Sequence, residues 1–190
     1  MDLAPVHRQA LLDCGRIVAQ VTPGDLARES PCAGWNLADL LGHMIGQHRG
    51  FAAAARGLPV DPAVWEDVTL GPDPAADYAV AADDVLAAFA AEDFAGRTLA
   101  LHGFGHVPAA TAMMMHFVDY LAHGWDVART LGVPADLDEE LCERALRLGS
   151  RWPADSPSIW GPGAPFGAKV PVPAGASAAD RFLGFLGRTP

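Results

Sequence analysis

The segment MMMHFVDYLAHGWDVA, residues 113 to 128, sets His116, Asp119 and His123 in a run too apolar for a solvent-facing helix. Two imidazoles and a carboxylate are the donor types of a divalent-metal site. At about 100° per residue the three fall within about 60° of one another. Ala112, Met113, Tyr120 and Val127 share their face, while Met114, Phe117, Val118, Leu121, Trp125 and Ala128 cover the other. A helix apolar nearly all round belongs at the centre of a bundle. A carboxylate buried there needs a partner, since an unpaired one is strongly destabilising. Asp119 has two solutions. It accepts a hydrogen bond from a His or Tyr of another helix, or it shares a metal with His123. The i, i+4 spacing sets those two side chains one above the other.

A metal needs a ligand from elsewhere, and the segment NLADLLGHMIGQHRGFAAAARG offers two. Its stripe of Leu37, Leu41, Met44 and Phe51 places His48 inward, with His43 to one side near Asn36 and Gln47. His7 lies in the first turn of a helix and is expected to be solvated. His102 and His106 flank a Gly-rich loop that brings either near a site mouth.

The elements that position these residues are helical. The periodicity predicts helices over about 4–21, 36–56, 77–93, 108–131 and 138–152, with a short last one over 177–188. Asn36 is a good N-cap for the second, and Asp73 or Asp77 for the third. Gly132 and Pro134 stop the fourth. The connection from Gly57 to about residue 73 is polar, and RTLALHGFGHVP (97–108) reads as a short extended piece or hairpin-like loop. After Trp152 the chain is Pro/Gly-rich and is expected to form an extended arm. The predicted class is all-α: a helical bundle over 1–152, including the extra helix 138–152, followed by a C-terminal arm and short helix over 153–190 packed on the bundle.

The formal net charge of −10 excludes general nucleic-acid and anionic-membrane binding. No basic n-region opens the chain and no stretch has the ~18 uninterrupted apolar residues of a membrane span. The expectation is a soluble, cytoplasmic protein, monomeric or homodimeric, acting on a small molecule. Cys14, Cys32 and Cys142 are too few and too scattered for a disulfide framework, and are expected to be free thiols.

PCAGWNLADLLGHMIGQHRGF (31–51) and DYLAHGWDVARTLGVP (119–134) resemble the two signature blocks of the DinB-like superfamily. The branch they most resemble is the metal-binding N-terminal domain of mycothiol-dependent maleylpyruvate isomerases. The tail FGAKVPVPAGASAADRFLGFLGRTP resembles the ends of short actinobacterial members of that group. The resemblance implies a four-helix bundle holding one divalent metal, zinc first and nickel second. It implies His43, Asp119 and His123 as the ligands, so His43 replaces His48, which becomes structural or supporting. Asp119 stands where those isomerases have Glu and is one methylene shorter. The isomerases also carry a second domain that supplies an active-site arginine, for which 190 residues leave no length. The metal site therefore carries over more directly than the substrate.

Two His and one carboxylate leave coordination positions open, as catalytic zinc sites do. The resemblance fills one with a low-molecular-weight thiol such as mycothiol, ionised by the metal and added to an electrophile. Addition, bond rotation and elimination give an isomerase; retention of the adduct gives an S-transferase. The alternatives are a metal-dependent hydrolase of a small amide or ester, and a metal- or small-ligand-binding protein without turnover. Asp126 either orients His123 or forms a salt bridge with Arg129 or Arg49. Trp35 and Trp125 read as core aromatics. Cys32, just before a helix N-terminus, reads as structural rather than nucleophilic.

Overall fold

The computed structural model describes residues 3–59, 61–66, 68–154, 156–157, 159–161 and 164–190. Within the expected connection and arm, Val60, Asp67, Asp155, Ser158, Pro162 and Gly163 lie outside the described residues. The chain forms two compact units, residues 1–135 and 136–190.

The first unit is built on four helices: α1 (Ala4–Val18), α2 (Leu37–Ala55), α4 (Pro74–Phe89) and α5 (Ala109–Leu131). Helix α1 packs on α5, α5 on α2, α2 on α4 and α4 on α1, which closes the expected four-helix bundle. The caps are those the sequence offers. Asn36 accepts from Asp39 N at 2.9 Å while Asp39 returns the bond to Asn36 N at 3.0 Å, a reciprocal capping box. Asp73, rather than Asp77, caps α4 through Ala76 N at 3.0 Å. Gly132 ends α5 at φ 74°, where a side chain would be strained. Helix α5 buries Phe117, Val118, Tyr120, Ala122, Val127 and Ala128 and is the central element its composition predicts. Residues 98–108 form an antiparallel hairpin of β1 (Thr98–Leu101) and β2 (Gly105–Pro108), with Thr98 opposite Pro108.

The polar connection hides a one-turn helix, α3 (Pro62–Glu66), that hydropathy does not reveal. Its Trp65 is 4% exposed and lies against the glycines of α2. A methyl group on Gly50 would sit 2.4 Å from the Trp65 ring, and one on Gly46 2.6 Å from the Trp65 carbonyl oxygen. Helix propensity favours Ala over Gly by up to about 1 kcal/mol, but overpacking of this kind costs about 1–3 kcal/mol. Gly50→Ala and Gly46→Ala are therefore expected to lower the thermal midpoint by several degrees. Gly15→Ala in α1 meets nothing nearer than 4.0 Å and is expected to leave it unchanged or raise it. Differential scanning calorimetry on the three variants checks the contrast, and a midpoint for Gly50→Ala at or above wild type contradicts it.

The second unit contains α6 (Glu139–Gly149) and α7 (Ala178–Phe185), so the unit boundary lies ahead of α6. Glu139 accepts from Ala178 N at 2.7 Å and ties the two helices. The arm is not the coreless extension its Pro and Gly content suggests. Trp152 stacks on Phe166 at 5.6 Å, and Trp160 meets Phe185 edge-on at 4.8 Å. Aromatics spaced along the arm supply a small apolar centre that Pro/Gly composition conceals.

Candidate metal centre

Helix α5 delivers Asp119 and His123 one turn apart, and α2 delivers His43 across the seam the two helices share. Asp119 Oδ1 lies 3.3 Å from His123 Nε2, and Asp119 Oδ2 lies 3.8 Å from His43 Nε2. One donor atom from each of the three falls within 4.8 Å of the others. The side chain of Asp119 is 25% exposed and that of His43 26%, so the cluster opens to solvent on one side. His123 is buried behind them at 6%.

Electrostatics follow from that arrangement. Burial favours neutral His123, but the Asp119 carboxylate, helped by Asp126 and Cys32, outweighs it and holds its pKa well above 6.5. Burial favours neutral Asp119 too, but His123 and then His43 hold its carboxyl well below the usual range. Without a metal both shifts favour the charged pair, His123⁺ beside Asp119⁻. The opposed imidazole nitrogens and the carboxylate suit a zinc-type ion in donor chemistry and in convergence.

Asp126 does what one of its two expected roles requires. It is fully buried and accepts from His123 Nδ1 at 2.9 Å, which leaves Nε2 facing Asp119 and His43. The Cys32 thiol donates to the same Asp126 oxygen at 3.3 Å. The loop carrying Cys32 is itself fixed: Ser30 Oγ accepts from Cys32 N at 3.2 Å and donates to the Trp35 carbonyl at 2.9 Å. Trp35 is half-buried with its ring 5.0 Å from that of His43. Trp125 is a core residue, as read from sequence, with the Arg129 guanidinium 5.3 Å from its ring centre.

His116, Asp119 and His123 do not act together. His116 turns away from Asp119 and His123 into the core, where its Nδ1 meets His7 Nε2 at 3.0 Å and its Nε2 meets His48 Nδ1 at 3.2 Å. His116 is thus tolerated by hydrogen bonds, not by an ion. His48 is inward, as periodicity requires, but bonds His116 and stacks on Tyr120 at 4.0 Å. Its Nε2 has no partner among the described residues. His7 is a correction. It is 1% exposed, not solvated, because the first turn of α1 packs against α5 and Phe89. Burial lowers its pKa to about 4 and pushes those of His48 and His116 well below 6.5. His102 and His106 lie on the exposed hairpin, in neither group.

The four-helix bundle of this chain is a DinB-like fold. The chain belongs to the family described as "Mycothiol maleylpyruvate isomerase N-terminal domain", which it matches over residues 7–128. It is 32% identical to the uncharacterized proteins Rv0738 and MT0763 of Mycobacterium tuberculosis, strains ATCC 25618 / H37Rv and CDC 1551 / Oshkosh, over 100% of this chain and 99% of each of theirs. Among solved structures it resembles the mycothiol-dependent maleylpyruvate isomerase at a TM-score of 0.60 and 19% identity. A mutant of that enzyme gives 0.63 and 17%, and in both cases the match covers 77% of this chain and 68% of the other. At those identities the likeness establishes the fold. No described helix is long and apolar enough to cross a membrane.

Proposed function

We propose that this chain is a metal-dependent, thiol-using enzyme, an isomerase or S-transferase that acts on a small electrophile. The observation that carries the reading is the convergence of His43, Asp119 and His123 on one point beside a solvent opening. The family's mycothiol-dependent isomerase, and the fold shared with it, support thiol chemistry there. His43 and His123 would hold a divalent ion, zinc before nickel, through Nε2, and Asp119 through a carboxylate oxygen. When bound, such an ion lowers the pKa of a thiol and keeps a nucleophile available at neutral pH. The chain's own residues prepare the site. Asp126 fixes the His123 tautomer and ring plane through Nδ1. Asp119 supplies the negative charge that makes a cation welcome in a partly buried setting. Trp35 walls the His43 side and limits water.

The test uses the full-length chain reconstituted with zinc and assayed on activated alkenes with and without a low-molecular-weight thiol. Turnover is expected to need both metal and thiol. Hydrolysis of a small ester or amide without thiol transfers the assignment to a metal-dependent hydrolase. Metal binding with neither activity leaves a binding protein. No ion after reconstitution with zinc or nickel overturns the enzyme reading.

A further inference from the structure

His123 has a second nitrogen, and the groups around it form a cluster of their own. Cys32 Sγ lies 3.3 Å from Asp126 Oδ2 and 4.0 Å from His123 Nδ1, and His123 Nδ1 lies 2.9 Å from Asp126 Oδ2. These sulfur, nitrogen and oxygen donors all fall within 4.8 Å of one another. We propose that Cys32, His123 Nδ1 and Asp126 form a second cation position, specific for a thiophilic divalent ion such as zinc, cobalt or cadmium, with the His123 ring shared between it and the His43–Asp119 position.

Three features favour this use. A mixed S/N/O set is a zinc-type donor set, whereas magnesium and calcium prefer oxygen alone. The donors come from two rigid pieces: Asp126 and His123 lie a turn apart on α5, and the Ser30-braced loop presents Cys32. Access also exists, because Cys32 is half-buried while Asp126 and His123 lie behind it. Charge is conserved on filling. The thiol proton and the Nδ1 proton leave to solvent, one divalent cation arrives, and the net charge of the buried cluster does not change. That avoids the penalty of burying a new charge. Shared in this way, His123 bridges as an imidazolate.

The sharing rests on the reading of the first position, so the experiment separates the two. Metal-free full-length protein is titrated with cobalt(II) and followed by absorbance. Two equivalents are expected, one of them with a thiolate-to-cobalt charge-transfer band in the near ultraviolet. Cys32→Ser loses the band and one equivalent and keeps the other. His43→Ala loses the other equivalent and keeps the band. Cys14→Ser and Cys142→Ser, whose thiols burial pushes up to about 12, leave the band in place. A second readout needs no variant. Alkylation of Cys32 by iodoacetamide is expected to slow by about tenfold or more when two equivalents are loaded, because a metal-bound thiolate is masked. A single equivalent without the band and with Cys32 alkylation unslowed overturns the second position and leaves the first. A band that survives in folded Cys32→Ser also overturns it. A single equivalent that carries the band and survives His43→Ala upholds the Cys32 position and overturns the first.

Discussion

Measured in the Cys32→Ser chain, so that only the His43–Asp119–His123 position is read, zinc affinity is expected to collapse in His43→Ala, Asp119→Ala and His123→Ala, and to stay at the parent level in His102→Ala. Each of the first three removes one of the three donors that converge at the opening among the described residues. The loss should exceed the roughly 10- to 100-fold that typically follows removal of an outer-shell partner. Asp119→Asn distinguishes charge from shape. The amide keeps the volume but removes the negative charge that holds His123 protonated and a cation attracted, so it too should bind weakly. His102 is an exposed hairpin residue outside the cluster. His48→Ala is a different experiment, because it opens a cavity under Tyr120 and strands His116. It is expected to lower stability first. Competition with a chromogenic chelator, beside elemental analysis of each purified chain, reads the affinities. Equal affinities in the parent chain and Asp119→Ala would remove the carboxylate from the site.

The second large effect is acid destabilisation centred on His7, His48 and His116. All three are buried and neutral, and burial lowers each pKa below the 6.5 of an exposed imidazole. The unfolded chain therefore binds more protons than the folded one once the pH falls below about 6.5. Stability is full above that value and declines as the pH falls toward 4, the folded value of His7. His7 alone accounts for about 3 kcal/mol across this interval, at about 1.4 kcal/mol per pH unit. His48 and His116 add to the slope in the same direction. In the metal-free chain His123 contributes with the opposite sign. Its raised pKa gives stability that is complete below 6.5 and is lost as the pH rises through its folded value. Urea unfolding at pH 7.5, 6.5, 5.5 and 4.5 should show a maximum near 6.5 and a steep acid limb. His7→Gln, which removes one titrating group but keeps hydrogen-bonding capacity toward His116, should flatten that limb by about one proton's worth. An acid limb of unchanged slope in that variant would contradict the assignment.

Much of this was legible in the sequence because it is local. Caps, stops and helix faces depend on residues within one or two turns. That is why Asn36, Asp73 and Gly132 take the roles their chemistry predicts, and why the burial of α5 follows from its composition. The juxtaposition of Asp119 and His123 is local in the same sense, since any α-helix makes i and i+4 neighbours. What only the tertiary structure decided is which residues of other elements meet them. His43 and His48 lie on one helix, about 140° apart around its axis. The way α2 is turned against α5 assigns one to the Asp119 cluster and the other to the core. The burial of His7, the docking of Trp65 on Gly46 and Gly50, and the approach of Cys32 to the back of His123 are contacts between segments distant in sequence. A helical period records that a residue faces inward; the atom it meets there is set by the packing of a second helix or loop, which no single segment encodes.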